Sequence, residues 1–281
     1  MKIYHTIKQL QDYLKSLKSQ KIALVPTMGN LHQGHLSLVK IARSHADIVV
    51  VSIFVNPTQF GIGEDFDSYP RTLDADVAQL DGLVDVVFAP SVDEMYPTYP
   101  PNVQVLSGDI SQILCAKTRP THFDGVGLVV SKLFNIVRPD VAVFGKKDYQ
   151  QLAIIRQLND ELNFGIDIIG GDIVRREDGL ALSSRNGYLT DSQSRHAPFL
   201  QKTLSKLAKQ LTIADFNDFD TLIKQAIDVL SGNQFRVDYL QVLNQKLQKP
   251  SKTDKNLVIL TACFLGKTRL LDNVEFDRAC Q

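Results

Sequence analysis

The chain has 281 residues, of which 44% are hydrophobic, enough for one large or two modest hydrophobic cores. Lysine plus arginine and aspartate plus glutamate number 31 each, so no overall basic field favours a nucleic-acid partner. The sequence lacks a signal-peptide pattern and any uncharged apolar run of roughly eighteen residues, and its three cysteines, Cys115, Cys263 and Cys280, have neither metal-ligand nor redox spacing. We therefore expect a globular cytoplasmic protein that uses no membrane and no nucleic-acid partner.

Apolar, β-branched segments alternate with helical patterns in the first part of the chain. The predicted strands cover residues 22–25, 47–55, 84–89, 141–144 and 166–169. This alternation predicts an α/β fold, a parallel sheet covered by helices. In such sheets ligands bind outside the carboxyl ends of the strands, so the loops that follow these segments are the candidate functional loops.

After about residue 173 the pattern changes. Amphipathic helices are predicted near 191–210 and 216–231, followed by strands at 237–243 and 257–264. This order predicts a smaller α+β domain, joined to the first at a turn formed by Gly170, Gly171 and Asp172 that is suited to a hinge. Gly266-Lys267-Thr268 resembles the end of a phosphate-binding loop but lacks the earlier glycine, so it predicts a turn at a strand end.

The segment between the strand at 22–25 and a helix opening at Leu36 contains two histidines. His32 and His35 flank Gly34 at this strand-to-helix turn. Backbone N–H groups and the positive dipole end at a helix start favour a phosphate, and imidazoles there can donate hydrogen bonds to it. A metal pair is the alternative, but no third ligand lies nearby in the sequence. The pattern therefore predicts chemistry on a nucleotide phosphate. This turn is similar to the signature of the nucleotidylyltransferase superfamily and of class I aminoacyl-tRNA synthetases.

Three further loops carry candidate binding residues, each with a plainer alternative. Asn56 and Gln59 offer paired amides for a small polar substrate, or form an Asn-Pro turn. Lys147 and Asp148 suit phosphate and ribose oxygens, or solvate a helix start. Ser183-Ser184-Arg185 supplies hydroxyl donors and a permanent charge for a triphosphate, or an ordinary capped loop.

Six blocks in order resemble the pantoate-β-alanine ligases, or pantothenate synthetases, over essentially the whole chain. They are Pro26-Thr27-Met28-Gly29 with His32-Gln33-Gly34-His35, Phe54-Val55-Asn56-Pro57-Thr58-Gln59-Phe60, Tyr69-Pro70-Arg71-Thr72, Arg119-Pro120-Thr121-His122-Phe123, Lys147-Asp148-Tyr149-Gln150-Gln151 and Leu182-Ser183-Ser184-Arg185-Asn186. Any single block is a weak signal. Six in this order identify the chain as a member of the family.

The resemblance implies an ATP-dependent acid-amine ligase that joins (R)-pantoate to β-alanine through pantoyl adenylate, releasing AMP and pyrophosphate. It also implies a Rossmann-like domain at 1–173 with helices on both faces, a smaller C-terminal lid domain at 174–281, a homodimer, and Mg²⁺ bound with the nucleotide. Closure of a lid would keep an acyl adenylate from water until the amine arrives.

The resemblance also implies site residues. The catalytic set is His32, His35, Lys147 and Arg185, with His35 as general acid or transition-state donor. The implied ATP-binding residues are Met28, Gly29, Asn30, Leu31, His32, Gln33, Gly34, His35, Gly145, Lys146, Lys147, Asp148, Val174, Leu182, Ser183, Ser184 and Arg185. The implied pantoate-binding residues are Gln59, Gln151, Asn56 and Tyr69, and the implied β-alanine-binding residue is Gln59. No residue is assigned as a metal ligand.

Two positions depart from the family pattern. Lys146 stands where glutamate is expected, and Asp124 stands where arginine is common. We expect backbone contacts at 146 to persist and no phosphate contact from 124. Two other functions fit the residues less well: a nucleotidylyltransferase that leaves the nucleotide on its product, and a module that binds ATP without turnover.

Overall fold

A computed structural model of the protein describes residues 1–17, 19–61 and 63–278, so Cys280 lies outside the described residues. By their internal contacts the residues form two compact units. The N-terminal unit comprises Met1–Lys146 and Gln150–Asp172. The C-terminal unit comprises Lys147–Tyr149 and the chain from Ile173 onward.

The N-terminal unit is built on a six-stranded parallel sheet. Its strands are β1 (Lys2–Tyr4), β2 (Ile22–Thr27), β3 (Ile48–Ile53), β4 (Val86–Phe88), β5 (Val141–Gly145) and β6 (Asp167–Gly171). The order across the sheet is β1-β4-β3-β2-β5-β6, and all neighbours are parallel. The five predicted strands are confirmed. The edge strand β1 was not predicted, because three residues are too few to show a periodic pattern.

Helices cover both faces of this sheet. They are α1 (Ile7–Ser16), α2 (Gln33–His45), α3 (Leu73–Leu80), α4 (Val92–Met95), α5 (His122–Val137) and α6 (Tyr149–Glu161). Successive strand residues point to opposite faces, so Leu24 packs in one apolar cluster with Phe134 of α5, and Val25 in another with Val39 of α2. Burial on both faces explains why these strands are almost continuously apolar.

The chain changes direction across the sheet at β2. From β2 it continues to β3 and β4 on one side, then returns to β5 and β6 on the other. The carboxyl ends of strands at such a switch point are where open α/β sheets bind ligands. The segment after β2 contains His32 and His35, and the segment after β5 begins with Lys146. The topology therefore places the first predicted motif at the preferred binding edge.

The predicted turn at Gly170 and Gly171 is wrong, because both glycines belong to β6. They pair with Phe144 and Gly145 of β5. A Cβ added to Gly171 would lie 2.3 Å from Cδ2 of Leu38 on α2. Glycine is therefore needed here for close packing of a helix on a strand, not for a change of chain direction.

The C-terminal unit combines an antiparallel sheet with helices. Its strands β7 (Phe235–Asn244), β8 (Asn256–Leu265) and β9 (Thr268–Asp277) lie in sequence order, and its helices are α7 (Asp191–His196), α8 (Phe199–Ile213) and α9 (Phe219–Ser231). Leu200 and Leu204 of α8 pack in one core with Phe235 and Ile259. The helix predicted at 191–210 is two helices, separated at Pro198. The turn predicted near Gly266 is confirmed, whereas β9 was not predicted.

The other large-scale expectations concern membranes and cysteines. Across residues 1–17, 19–61 and 63–278, no helix combines the length and apolar character that a membrane crossing requires. Cys115 and Cys263 are buried free thiols. Burial raises the pKa of Cys263 to about 11, so this thiol stays protonated at neutral pH.

Candidate active site

The loop after β2 has a backbone conformation that favours glycine and asparagine at two consecutive positions. Gly29 has φ +80° and Asn30 has φ +51°, both in the left-handed region. Glycine adopts this region without strain, and asparagine tolerates it better than most residues. The buried Gly29 also leaves room for a neighbour, since an added Cβ would lie 2.9 Å from a carboxylate oxygen of Asp76. The backbone is thereby turned so that its N–H groups meet that carboxylate.

Asp76 on α3 holds this loop. Its side chain is 1% exposed and accepts hydrogen bonds from the backbone N–H groups of Asn30 (2.9 Å) and Leu31 (2.7 Å) and from the Thr72 hydroxyl (3.1 Å). A buried carboxylate is costly unless it is fully hydrogen-bonded, and these three donors meet that requirement. Sequence reasoning missed Asp76, because in the sequence it looks the same as the exposed Asp74 on the same helix.

His32 and His35 cap helix α2 reciprocally. His32 is the N-cap residue, and its Nδ1 accepts from the backbone N–H of Gly34 at 3.1 Å. Nδ1 of His35 accepts from the backbone N–H of His32 at 3.3 Å, and the two ring centroids are 4.2 Å apart. This is the capping-box arrangement with imidazoles in place of the usual serine and glutamate. The helix start therefore fixes both rings in place.

The capping bonds also determine which ring nitrogen carries the proton. Because Nδ1 of His32 and of His35 both accept from backbone N–H groups, the neutral form of each ring has its proton on Nε2. Each imidazole is thus held as an Nε2–H donor at the N-terminus of α2. Two such donors beside the positive end of a helix dipole suit phosphate oxygens.

The loop after β3 is organised by a buried asparagine. Asn56 is 1% exposed, and its Nδ2 donates to Oε1 of Gln59 (3.0 Å) and to the carbonyl of Gly125 (3.2 Å). Its Oδ1 accepts from the hydroxyls of Thr58 (2.9 Å) and Tyr96 (2.8 Å). Asn56 therefore orients the amide of Gln59 and has its own hydrogen-bonding capacity used within the protein.

Gln59 is held at several atoms. Its Nε2 lies 3.0 Å from Sδ of Met28, which links the loop after β3 to the loop after β2. Its carbonyl accepts from Nδ1 of His122 (2.8 Å) and from the Arg119 guanidinium (3.3 Å). Gly125 of α5 allows the backbone of Thr58 and Gln59 to lie against that helix, since an added Cβ would lie 2.1 Å from the carbonyl oxygen of Thr58. The N-terminal unit thus brings together Met28, Asn56 and Gln59.

Arg119 is in turn fixed by Glu64. Nε and Nη2 of Arg119 each lie 2.6 Å from a carboxylate oxygen of Glu64, a bidentate pair. Burial acts to raise the pKa of Glu64, but hydrogen bonds and charge from Arg119 outweigh it and hold the pKa below its usual range. At neutral pH the pair is therefore ionised and rigid.

The side chains of Tyr69 and Asp124 both make contacts that support the fold. The Tyr69 ring is 6% exposed and packs edge-on against Phe60, with ring centroids 5.9 Å apart. Asp124 accepts from the backbone N–H of Ser107 at 3.0 Å, which gives this departure from the family pattern a local role in folding.

The two glutamines at the start of α6 differ sharply. Gln150 is 5% exposed, accepts from the backbone N–H of Cys115 (3.2 Å) and donates to the carbonyls of Ile110 and Ile113, both at 2.8 Å. Gln151 is partly buried and makes no side-chain hydrogen bond to the described residues. Gln150 thus stabilises the fold through its contacts with residues 110–115.

Lys146 and Lys147 have different partners. Nζ of Lys146 pairs with the carboxylate of Asp172 at 2.9 Å within the N-terminal unit. Nζ of Lys147 lies 3.3 Å from the carboxylate of its neighbour Asp148, in the C-terminal unit. Both lysine side chains are mostly buried, at 29% and 19% exposure, so their charges are only partly screened by water.

The C-terminal unit holds the Ser-Ser-Arg loop. The backbone N–H of Leu182 donates to the carbonyl of Val174 at 3.0 Å, and Ser183 then caps a short 3₁₀ helix, Ser184–Tyr188, through the N–H of Arg185. Ser183, Ser184 and Arg185 are all partly buried. The predicted residues of this loop are therefore fixed locally as one element.

No all-protein metal cage is present in the described part of the chain. No group of three or more histidine, cysteine, aspartate or glutamate residues there has the geometry to hold an ion. Mg²⁺ in nucleotide enzymes commonly keeps several waters and binds substrate phosphates with only one or two carboxylates. The residues present are therefore compatible with an ion carried by ATP, and none is identified as its ligand.

A six-stranded parallel sheet covered by helices, with two imidazoles at the helix start after a central strand, defines an α/β protein with a candidate phosphate-binding site at the switch point of its sheet. The model of the family described as pantoate-beta-alanine ligase matches residues 2–275. The chain therefore belongs to the pantoate-β-alanine ligase family, and the resemblance found in the sequence is confirmed.

Individual relatives agree with this assignment. The chain is 60% identical to the pantothenate synthetase of Psychrobacter sp. (strain PRwf-1), over 98% of each chain, and 49% identical to that of Acinetobacter baumannii (strain AYE), again over 98% of each. The crystal structure of pantothenate synthetase from Thermus thermophilus superposes with a TM-score of 0.88 at 38% identity, covering 98% of this chain and 99% of that one. A pantoate-beta-alanine ligase from Francisella tularensis, complexed with beta-gamma ATP and beta-alanine, superposes with a TM-score of 0.81 at 38% identity, covering 98% and 97%.

Proposed function

We propose that this protein is an AMP-forming acid-amine ligase that condenses (R)-pantoate with β-alanine at the expense of ATP. The observation that carries the proposal within the structure is the reciprocal capping of His32 and His35, which fixes two Nε2–H donors at the helix start after the central strand. Membership of the pantoate-β-alanine ligase family supplies the substrates.

The reaction has two steps. A carboxylate oxygen of pantoate attacks the α-phosphorus of ATP, a new P–O bond forms, and the bond to the bridging oxygen breaks as pyrophosphate leaves. The amine of β-alanine then attacks the acyl carbon of pantoyl adenylate, loses a proton and displaces AMP. No protein nucleophile takes part, so catalysis consists of positioning and of stabilising the charge that develops on phosphate oxygens.

Four residues are proposed to act on the phosphates. Nε2–H of His35 donates to the oxygens whose charge grows in the transition state, with His32 as its neighbour donor. Lys147 and Arg185 balance the charge of the leaving pyrophosphate. The wider proposed ATP set is Met28, Gly29, Asn30, Leu31, His32, Gln33, Gly34, His35, Gly145, Lys146, Lys147, Asp148, Val174, Leu182, Ser183, Ser184 and Arg185.

Pantoate is proposed to contact Gln59 and Gln151, which offer amide donors and acceptors to a hydroxy acid. Asn56 acts mainly through Gln59, because its own amide is already satisfied within the protein. Tyr69 contributes an aromatic wall through its cluster with Phe60. Gln59 is also proposed to contact β-alanine.

Further features of the family are proposed for this chain. Mg²⁺ bound with ATP would supply neutralisation of phosphate charge. Residues 1–173 form the domain that binds nucleotide and pantoate, and residues 174–281 form the lid domain. The protein works as a cytoplasmic homodimer and requires neither a membrane nor a nucleic acid.

Product analysis tests the proposed function. Purified protein with ATP, Mg²⁺, pantoate and β-alanine is expected to form pantothenate, AMP and pyrophosphate in equal amounts. Without β-alanine, pyrophosphate release is expected to stop after about one equivalent per site. A stable nucleotidyl conjugate as product, or no pantoate-dependent pyrophosphate release, would overturn the proposal.

A further inference from the structure

Strand β9 carries two polar residues that are unusually deeply buried. Asp272 is 4% and Asn273 5% exposed, although both lie in the middle of a strand that packs against an apolar core. Burying a carboxylate or an amide is costly unless its hydrogen bonds are made within the protein. The partners of these two side chains therefore show what their burial achieves.

Asp272 fixes the segment that leads into the Ser-Ser-Arg loop. Its two oxygens accept from Nη1 and Nη2 of Arg175, both at 2.8 Å, and the same guanidinium donates to the carbonyls of Gly179 (3.1 Å) and Asn273 (3.3 Å). Arg175 in turn forms an antiparallel bridge with Ala181. The hairpin 174–182 is thereby attached to β9, and Ser183 follows it directly.

Asn273 fixes the segment that contains Lys147. Its Nδ2 donates to the backbone carbonyl of Lys147 at 3.1 Å. Two residues further along β9, Glu275 accepts from the hydroxyl of Tyr149 at 3.2 Å. Residues 147–149 cluster with the C-terminal unit, although the residues on either side of them belong to the other unit.

We infer that Asp272 and Asn273 are positioning residues for the adenylation step, because together they set Lys147 and the Ser183–Arg185 loop at a fixed separation on one strand. This inference rests on the proposed function, in which both elements bind the phosphates of ATP. The two side chains are adjacent on a rigid strand, and the backbone N–H of Asn273 also donates to Oδ1 of Asp272 at 2.8 Å, so the two attachments are coupled. An error of about 1 Å in the placement of such groups costs on the order of a hundredfold in rate.

Separate assays of the two half-reactions test the inference. The variants are Asn273→Ala, which removes one neutral donor, and Asp272→Asn, which removes the charge opposite Arg175. Adenylation is followed as pantoate-dependent exchange of pyrophosphate into ATP, and amide formation as the reaction of β-alanine with synthetic pantoyl adenylate. Asp277→Asn is the matched control, since Asp277 is exposed at the end of the same strand and contacts Asn256.

For Asn273→Ala we expect adenylation to fall about tenfold or more, since a misplaced phosphate ligand affects only the step that uses it. Amide formation from supplied adenylate is expected to keep at least half its rate, and Asp277→Asn to behave as the unsubstituted protein. Equal losses in both half-reactions, or an unchanged adenylation rate in a folded variant, would overturn the inference.

If Asp272→Asn does not fold, Asn273→Ala alone decides the matter. A protein without substitutions that catalyses no exchange contradicts the proposed function itself. An active protein whose Asn273→Ala variant keeps normal adenylation contradicts only the role of β9.

Discussion

The backbone nitrogen of Leu31 lies 2.7 Å from a carboxylate oxygen of Asp76, a residue 45 positions later in the chain. This contact, with a second one to the N–H of Asn30, fixes the loop that leads into His32 and His35. The histidines depend on the loop for the direction in which α2 begins. The geometry of the proposed phosphate donors is therefore set partly by a carboxylate that itself has no role in the chemistry.

Replacing Asp76 with asparagine is expected to lower the free energy of unfolding by about 1.5–3 kcal/mol, because charge-assisted hydrogen bonds from buried donors are lost. The KM for ATP is expected to rise as well, since the loop carries proposed ATP-binding residues. Urea unfolding and steady-state kinetics measure the two effects. Asp74→Asn, on the exposed side of the same helix, is the control and is expected to change neither by much. An unaltered KM in a destabilised Asp76→Asn variant would show that the loop does not depend on this carboxylate.

Replacing His35 with alanine is expected to lower the rate of adenylation by about a hundredfold, the usual effect of losing a transition-state donor. Pre-steady-state measurement of pyrophosphate release reports this step directly. His45→Ala is the matched control, because His45 is exposed at the other end of α2. Normal pyrophosphate release from a folded His35→Ala variant would exclude His35 from the chemistry.

The adjacent glutamines of α6 give a paired prediction. Gln150→Ala is expected to lower the free energy of unfolding by about 2 kcal/mol or more, because it leaves three buried or partly buried backbone groups of residues 110–115 without this partner. Gln151→Ala is expected to raise the KM for pantoate while stability and the KM for ATP stay near normal. Thermal unfolding and substrate titrations of both variants separate the two roles. A Gln151→Ala variant with an unchanged KM for pantoate would remove this residue from the proposed pocket.

Because Tyr96 is buried, we expect the protein to lose stability at alkaline pH. Burial raises the pKa of Tyr96 to about 12 from an ordinary value of 10, so in this range the folded protein retains a proton that the unfolded chain loses. The contribution of protonated Tyr96 to the free energy of unfolding is therefore fully present below pH 10. It is lost as the pH rises toward 12, which lowers the free energy of unfolding by roughly 2–3 kcal/mol in all. Urea unfolding at about pH 9 and about pH 11, on either side of the ordinary tyrosine pKa, measures it. Tyr96→Phe keeps the ring and is expected to show a shallower decline than the unsubstituted protein, and parallel declines would contradict the assignment.

Much of the fold could be predicted from the local pattern of apolar and polar residues. The alternating apolar segments predicted the four inner strands of the parallel sheet, because a strand buried on both faces has no polar positions to obscure it, and they also predicted the edge strand β6. The short edge strand β1 and the strand β9 were missed, the first because it is too short and the second because Asp272, Asn273 and Glu275 interrupt its apolar pattern. The glycines of β6 were misassigned, since their role is to admit Leu38 of α2, which the sequence alone does not show.

The amino-acid sequence was sufficient to identify the family and to propose the residue types of the site, because His32, His35, Gln59 and the Ser-Ser-Arg loop lie in short motifs whose chemistry can be inferred locally. Which side chains hold those residues in place became evident only in the folded chain. Asp76, Tyr96, Gln150 and the pair Asp272 and Asn273 are buried polar residues whose partners lie far away in the chain. Nothing in their local sequence distinguishes them from solvated residues, because the free energy that makes them important arises only when folding removes water and brings the distant donors and acceptors together.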